Sequence, residues 1–95
     1  MKQVLSLLAL EERRMIAHAK EAAPEEACGV ILESADGARQ FRAAINVQGD
    51  LHAAFPHRFP PATGAFTLDP ETLRLIGTTR AAGGRLLVVY HSHPS

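Results

Sequence analysis

The chain has 95 residues, which is room for one domain around one modest core. Ten basic and ten acidic residues cancel, and with no Lys/Arg cluster or aromatic-basic interleaving a nucleic-acid partner is not expected. Four phenylalanines, one tyrosine and no tryptophan in a 46% apolar composition leave the core to Leu, Val, Ile and Ala, and the single cysteine excludes an internal disulfide.

The apolar start, Met1 to Leu10, is broken at once by Glu11-Glu12-Arg13-Arg14, so it reads neither as a secretory leader nor as a membrane span, and a cytoplasmic protein is expected. From Leu5 to Ala23 the spacing predicts a helix with Leu8, Met15, Ile16, Ala19 and Ala23 along one face and Glu11, Glu12, Arg13 and Lys20 mostly away from it. His18 lies beside that stripe and reads as a partly buried histidine rather than a ligand. Pro24 ends the helix.

Cys28 to Leu32 predicts a buried strand, with Cys28 a small buried hydrophobe, and Ser34-Ala35-Asp36-Gly37 supplies turn chemistry. Beyond the turn Phe41, Ala43, Ile45 and Val47 alternate with Gln40, Arg42 and Asn46, which completes a β-hairpin. Gln48 to Ala65 carries Gly49, Pro56, Pro60, Pro61 and Gly64 and predicts a long loop. Its Leu51, Phe55 and Phe59 suit a flap that touches substrate, and its His52 and His57 are two further candidate ligands on a poorly preorganised segment.

Asp69-Pro70-Glu71 opens a second helix, with Asp69 as N-cap, Pro70 in the first turn, Leu68 and Leu73 spaced as a hydrophobic staple, and Leu73 and Ile76 on its apolar face. Gly83-Gly84 ends it. The apolar run Leu86-Leu87-Val88-Val89-Tyr90 predicts a buried central strand that leads into His91-Ser92-His93-Pro94. In a strand, side chains at i and i+2 share a face, so His91 and His93 point the same way and their imidazoles can converge on one ion. Zinc suits such ligands, and a catalytic zinc takes three protein ligands and a water. On the residues alone, a strand-capping histidine beside a solvated one is the other reading. The order α-β-β-loop-α-β predicts one small α/β domain with a mixed sheet flanked by two helices.

Pro24-Glu25-Glu26-Ala27-Cys28-Gly29 before an apolar strand, Phe66-Thr67-Leu68-Asp69-Pro70, and an apolar strand ending His91-Ser92-His93-Pro94 together resemble the JAMM (MPN+) metallopeptidases of the small prokaryotic type. The resemblance implies a fold like that of the cytidine deaminases, Zn2+ as cofactor, Glu26 as general base, and His91 and His93 as zinc ligands. Ser92 falls at the Ser/Thr position between them, and Glu25 becomes a neighbour of the base. The family's third ligand, an Asp, and the Ser that precedes it would fall beyond Ser95, so residues 1–95 read as the N-terminal part, about two thirds, of such a domain. A partner chain or a homodimer is a second source for those elements. The implied reaction is hydrolysis of a peptide or isopeptide bond at the tail of a ubiquitin-like or sulfur-carrier protein that ends in diglycine. The alternative is an inactive fragment, or an interaction module of the same fold that has given up catalysis.

Overall fold

The computed structural model describes residues 2–94, with side chains from residue 9 onward. Six elements follow one another: α1 (Lys2–Ala22), β1 (Cys28–Glu33), β2 (Arg39–Ala43), α2 (Gln48–Ala54), α3 (Pro70–Ala81) and β3 (Arg85–His91). The α/β domain is as expected. Its sheet has the order β2-β1-β3, and both pairings are antiparallel, where the sequence suggested a mixed sheet.

The direction of β3 follows from where α3 delivers the chain. Helix α3 packs on β1 and β3, and Gly84 at its end donates to the Thr79 carbonyl while its α-carbon lies against the Glu33 backbone. Strand β3 therefore begins opposite the last residue of β1, with Arg85 paired to Glu33 and its Nε 2.9 Å from the Glu33 carboxylate. From there it can only run back.

Strand β1 is the central one, with Cys28, Val30 and Ile31 fully buried and Leu32 nearly so. Each such aliphatic side chain contributes about 1.5–3 kcal/mol relative to exposure. The run Leu86 to Tyr90, expected to be central and buried, forms an outer strand that is half-buried at most positions. A continuous apolar run fixes strand character but not lateral position, because both faces of β1 are covered and those of β3 only in part.

The two faces of the sheet are occupied differently. On one, Val30 and Leu32 form a core with Ile76, joined by Leu68, Leu75 and Leu86. On the other, the Tyr90 ring crosses its cross-strand partner Gly29 and stacks on Phe41, with centroids 5.6 Å apart and planes 13° apart. Gly29 is required there, since a Cβ would overlap the Tyr90 ring. Helix α1 roofs this face. Its His18 Nδ1 lies 2.7 Å from the Tyr90 hydroxyl and its Glu11 faces Arg39 at 3.7 Å.

These contacts turn α1 so that Met15, His18 and Ala19 are half-buried and Ile16, expected on the apolar stripe, is 50% exposed. Leu8 lies outside the residues whose side chains are described. The hairpin turn forms as expected: Asp36 Oδ1 accepts from the Ala38 N–H and the Ser34 hydroxyl, and Gly37 takes the left-handed conformation at φ 89°.

A third helix, α2, occupies the first part of the expected long loop. At seven residues it is too short to show helical periodicity, and the prolines that marked the segment as irregular all lie beyond it. Asp69 caps α3 as expected. Its carboxylate accepts from the Thr72 N–H at 3.2 Å, the Thr72 hydroxyl at 2.7 Å and the Ile45 N–H at 2.9 Å. Thr72, not Leu73, is buried with Ile76, and Leu73 is 53% exposed, because the Asp69 contact with Ile45 draws the first turn of α3 in on the Thr72 side.

Burial pushes the Asp69 carboxyl up, but the Thr72 hydroxyl and the N–H groups of Ile45 and Thr72 outweigh it and hold it below the ordinary 3.8. A depressed carboxylate stabilises the fold above its unfolded value and loses that contribution as pH falls through the folded value. Asp69→Ala is expected to cost about 1–2 kcal/mol in urea unfolding at pH 7, with Asp69→Asn between it and the wild type, and the gap narrowing below pH 3.8; an unchanged gap would rule out the ionised cap. Gly29→Ala is expected to cost about 1–3 kcal/mol and to move the fluorescence of Tyr90, the only tyrosine in a chain without tryptophan.

Candidate metal centre

Because β3 returns along β1, its last residue stands beside the first residue of β1, with His91 paired to Cys28. The segment entering β1 carries Glu26, so the two motifs at opposite parts of the sequence meet at one end of the sheet. Ser92 closes the meeting: its hydroxyl accepts from the Ala27 N–H at 2.8 Å and its own N–H donates to the Ala27 carbonyl at 3.0 Å. The residue between the two histidines thus locks them in register with Glu26.

Glu26 is held from the other side as well. Its N–H donates to the Ala62 carbonyl at 2.8 Å, and its carbonyl accepts from the Asn46 side-chain amide at 2.9 Å. The residue is 4% exposed, and its Oε1 lies 3.3 Å from His91 Nδ1. Glu25 is exposed outside this cluster. His91 and His93 are exposed, stand edge to face with ring centroids 4.6 Å apart, and His91 also stacks on Phe66 at 4.7 Å and 19°.

Glu26, His91 and His93 each offer a ligand atom within 4.8 Å of the others. Two donors at about 2.1 Å from one ion stand at most about 4.2 Å apart. A small rotation of an exposed imidazole closes that difference. Two imidazoles and a carboxylate suit zinc, and a buried carboxylate beside two imidazoles is a natural site for a cation. The group can hold a metal ion. Within it Glu26 has three chemical options: to ligate the ion, to accept a proton, or to orient His91 through Nδ1.

The other histidines lie outside this group. His52 Nδ1 bonds the Phe59 carbonyl at 2.8 Å and so pins the segment after α2 to that helix. His57 is exposed, and His18 is engaged with Tyr90. Cys28, though paired to His91 across the ladder, is fully buried, and burial first, then the charges of Asp69 and Glu26, push its thiol up to about 11. It stays a neutral thiol and a poor ligand. Burial, then Cys28, likewise pushes the Tyr90 phenol upward.

Three contributors to the site escaped sequence reasoning. The sequence marks Ser92 only by its position between the histidines, Asn46 only as a polar residue alternating with apolar ones, and Phe66 only as the first residue of the Phe66 to Pro70 block. The Phe66 to Pro70 block was the one visible signal, and nothing in its spacing points a ring at His91.

The family model for prokaryotic homologs of the JAB domain (Prok-JAB) matches residues 10–95, and the chain belongs to that family. No curated protein and no solved structure gives a significant match. Among the described residues no helix is long and apolar enough to cross a membrane.

Zinc titration of the metal-free chain, followed by competition with a chromophoric chelator, is expected to show about one equivalent bound. The His91→Ala/His93→Ala double variant is expected to lose it. Equal binding by the variant would place the ion elsewhere.

Proposed function

We propose that this chain is a JAMM-type zinc hydrolase of peptide or isopeptide bonds, with His91 and His93 as metal ligands and Glu26 as general base. The observation that carries the reading is the convergence of a buried carboxylate and two exposed imidazoles at one sheet end. Family membership supports it.

A zinc ion held there would supply Lewis acidity and lower the pKa of water toward about 7. The chain's own residues account for the rest. Glu26 takes the proton of the attacking water and returns it to the leaving amine, which a carboxylate shielded from bulk solvent can do without exchanging that proton first. Exposed His91 and His93 leave the outer side of the site open to a scissile bond. The Ser92 and Asn46 contacts with Ala27 and Glu26 hold the base in place while the bond is broken.

The substrate we propose is the extended tail of a ubiquitin-like or sulfur-carrier protein ending in diglycine, supplied in trans in the cytoplasm. Among the described residues β3 pairs with β1 alone. An extended tail added along the outer edge of β3 would run toward His91, with main-chain hydrogen bonds giving affinity. Glycines at the cleavage point would fit where larger side chains meet the imidazoles.

A carrier protein bearing a short extension after its diglycine, incubated with the zinc-loaded chain and read by mass spectrometry, tests this. Glu26→Gln is expected to lower hydrolysis about 10²–10⁴-fold while zinc stoichiometry holds. Near-wild-type cleavage by Glu26→Gln would remove the base assignment. Carrier binding by the wild type with no cleavage would mark an interaction module in place of an enzyme.

A further inference from the structure

We infer that Phe66 is a positioning residue for the metal centre, acting as a plate that sets the plane of the His91 ring, and that Asn46 holds this plate to the main chain of Glu26. The inference deepens the reading above and rests on it.

His91 ends β3 with an exposed side chain, and its polar contact with Glu26 is long at 3.3 Å. Such a contact alone leaves the imidazole free to turn. Phe66 supplies what is missing: its ring lies nearly parallel to the imidazole, 19° off, at 4.7 Å between centroids. Stacking of this kind favours one plane of the imidazole over the others. It also occupies only a face of the imidazole. Both ring nitrogens lie in the plane and stay accessible, Nδ1 toward Glu26 and Nε2 for an ion.

Phe66 is itself in a stretch with no helix or strand, so something must hold it. The Asn46 side chain does. Its Nδ2 donates to the Ala65 carbonyl at 3.1 Å and its Oδ1 accepts from the Thr67 N–H at 3.0 Å, one bond on each side of Phe66. The same Nδ2 donates to the Glu26 carbonyl at 2.9 Å, and the same Oδ1 accepts from the Gln48 N–H at 3.0 Å. With two donors and two acceptor sites, this amide has no capacity left over. Thr67 and Gln48 add a hydroxyl-to-carbonyl bond at 2.6 Å behind it. Through one amide, the base and the plate beneath the first ligand are therefore spaced together.

The test uses the full chain. In the metal-free protein the His91 ring protons, assigned with His91→Gln, are expected to resonate upfield under the Phe66 ring current, to lose that displacement in Phe66→Leu, and to keep it in Phe66→Tyr. Zinc affinity is expected to fall about tenfold in Phe66→Leu and to return in Phe66→Tyr, the scale of a lost contact behind a metal ligand. Phe66→Met gives the same readouts should Phe66→Leu not fold. Unmoved His91 shifts, or shifts that move with zinc affinity unchanged, would overturn the role of Phe66. A wild-type chain that binds no zinc would instead overturn the metal reading beneath it, and the two failures are told apart by which protein shows them.

Discussion

The site depends on one constraint, the antiparallel pairing of β3 with β1 in a register that sets His91 opposite Cys28. Had β3 run parallel to β1, its C-terminal histidines and the glutamate that precedes β1 would sit at opposite ends of the sheet. At about 3.3 Å per residue along a strand, the six residues of β1 would then separate them by more than any side chain spans. The direction is imposed by the exit from α3, where Gly84 lies against Glu33 and β3 starts opposite the last residue of β1.

What holds the site's outer wall is polar rather than apolar. Between α2 and α3 the chain has little regular structure, and Asn46, Gln48 and Thr67 replace the missing ladder with side-chain bonds to Glu26, Pro60, Ala65 and each other. Each such bond contributes about 0.5–1.5 kcal/mol net, but an orphaned partner in this half-buried setting costs more than the bond supplies. A saturated network of this kind defines positions sharply. It suits a segment whose task is to present Phe66 and to fasten the backbone of Glu26.

Burial also sorts the groups at the sheet end by chemistry. Cys28 and Glu26 lie two residues apart and are both buried, yet desolvation keeps the thiol neutral, and the neighbouring carboxylates reinforce that. The imidazoles of His91, at the end of β3, and His93 just beyond it are exposed. A cation approaching from solvent thus meets two open nitrogens backed by a shielded carboxylate, and not a competing thiolate. Beneath this arrangement the Gly29–Tyr90–Phe41 stack and the His18 hydroxyl bond tie α1 to the same end of the sheet.

Much of this was legible from the residues. The hairpin, the α3 cap at Asp69, the strand character of Leu86 to Tyr90 and the shared face of His91 and His93 follow from local rules, and those rules act within a few residues of chain. The identity of Glu26 as the site's carboxylate was carried by its motif. Short α2 was hidden because seven residues show no period, and the exposed Ile16 because the hydrogen bond between His18 and the Tyr90 hydroxyl, not apolar periodicity, orients α1. The sequence by itself determined the strand character of β1 and β3, the hairpin turn between β1 and β2 and the capped start of α3 at Asp69, since these depend on side-chain type and short spacing. Only the tertiary structure decided that β3 runs antiparallel to β1, that Ser92 and Asn46 fasten Glu26, and that Phe66 lies on His91, because each joins residues whose separation along the chain carries no periodic signal.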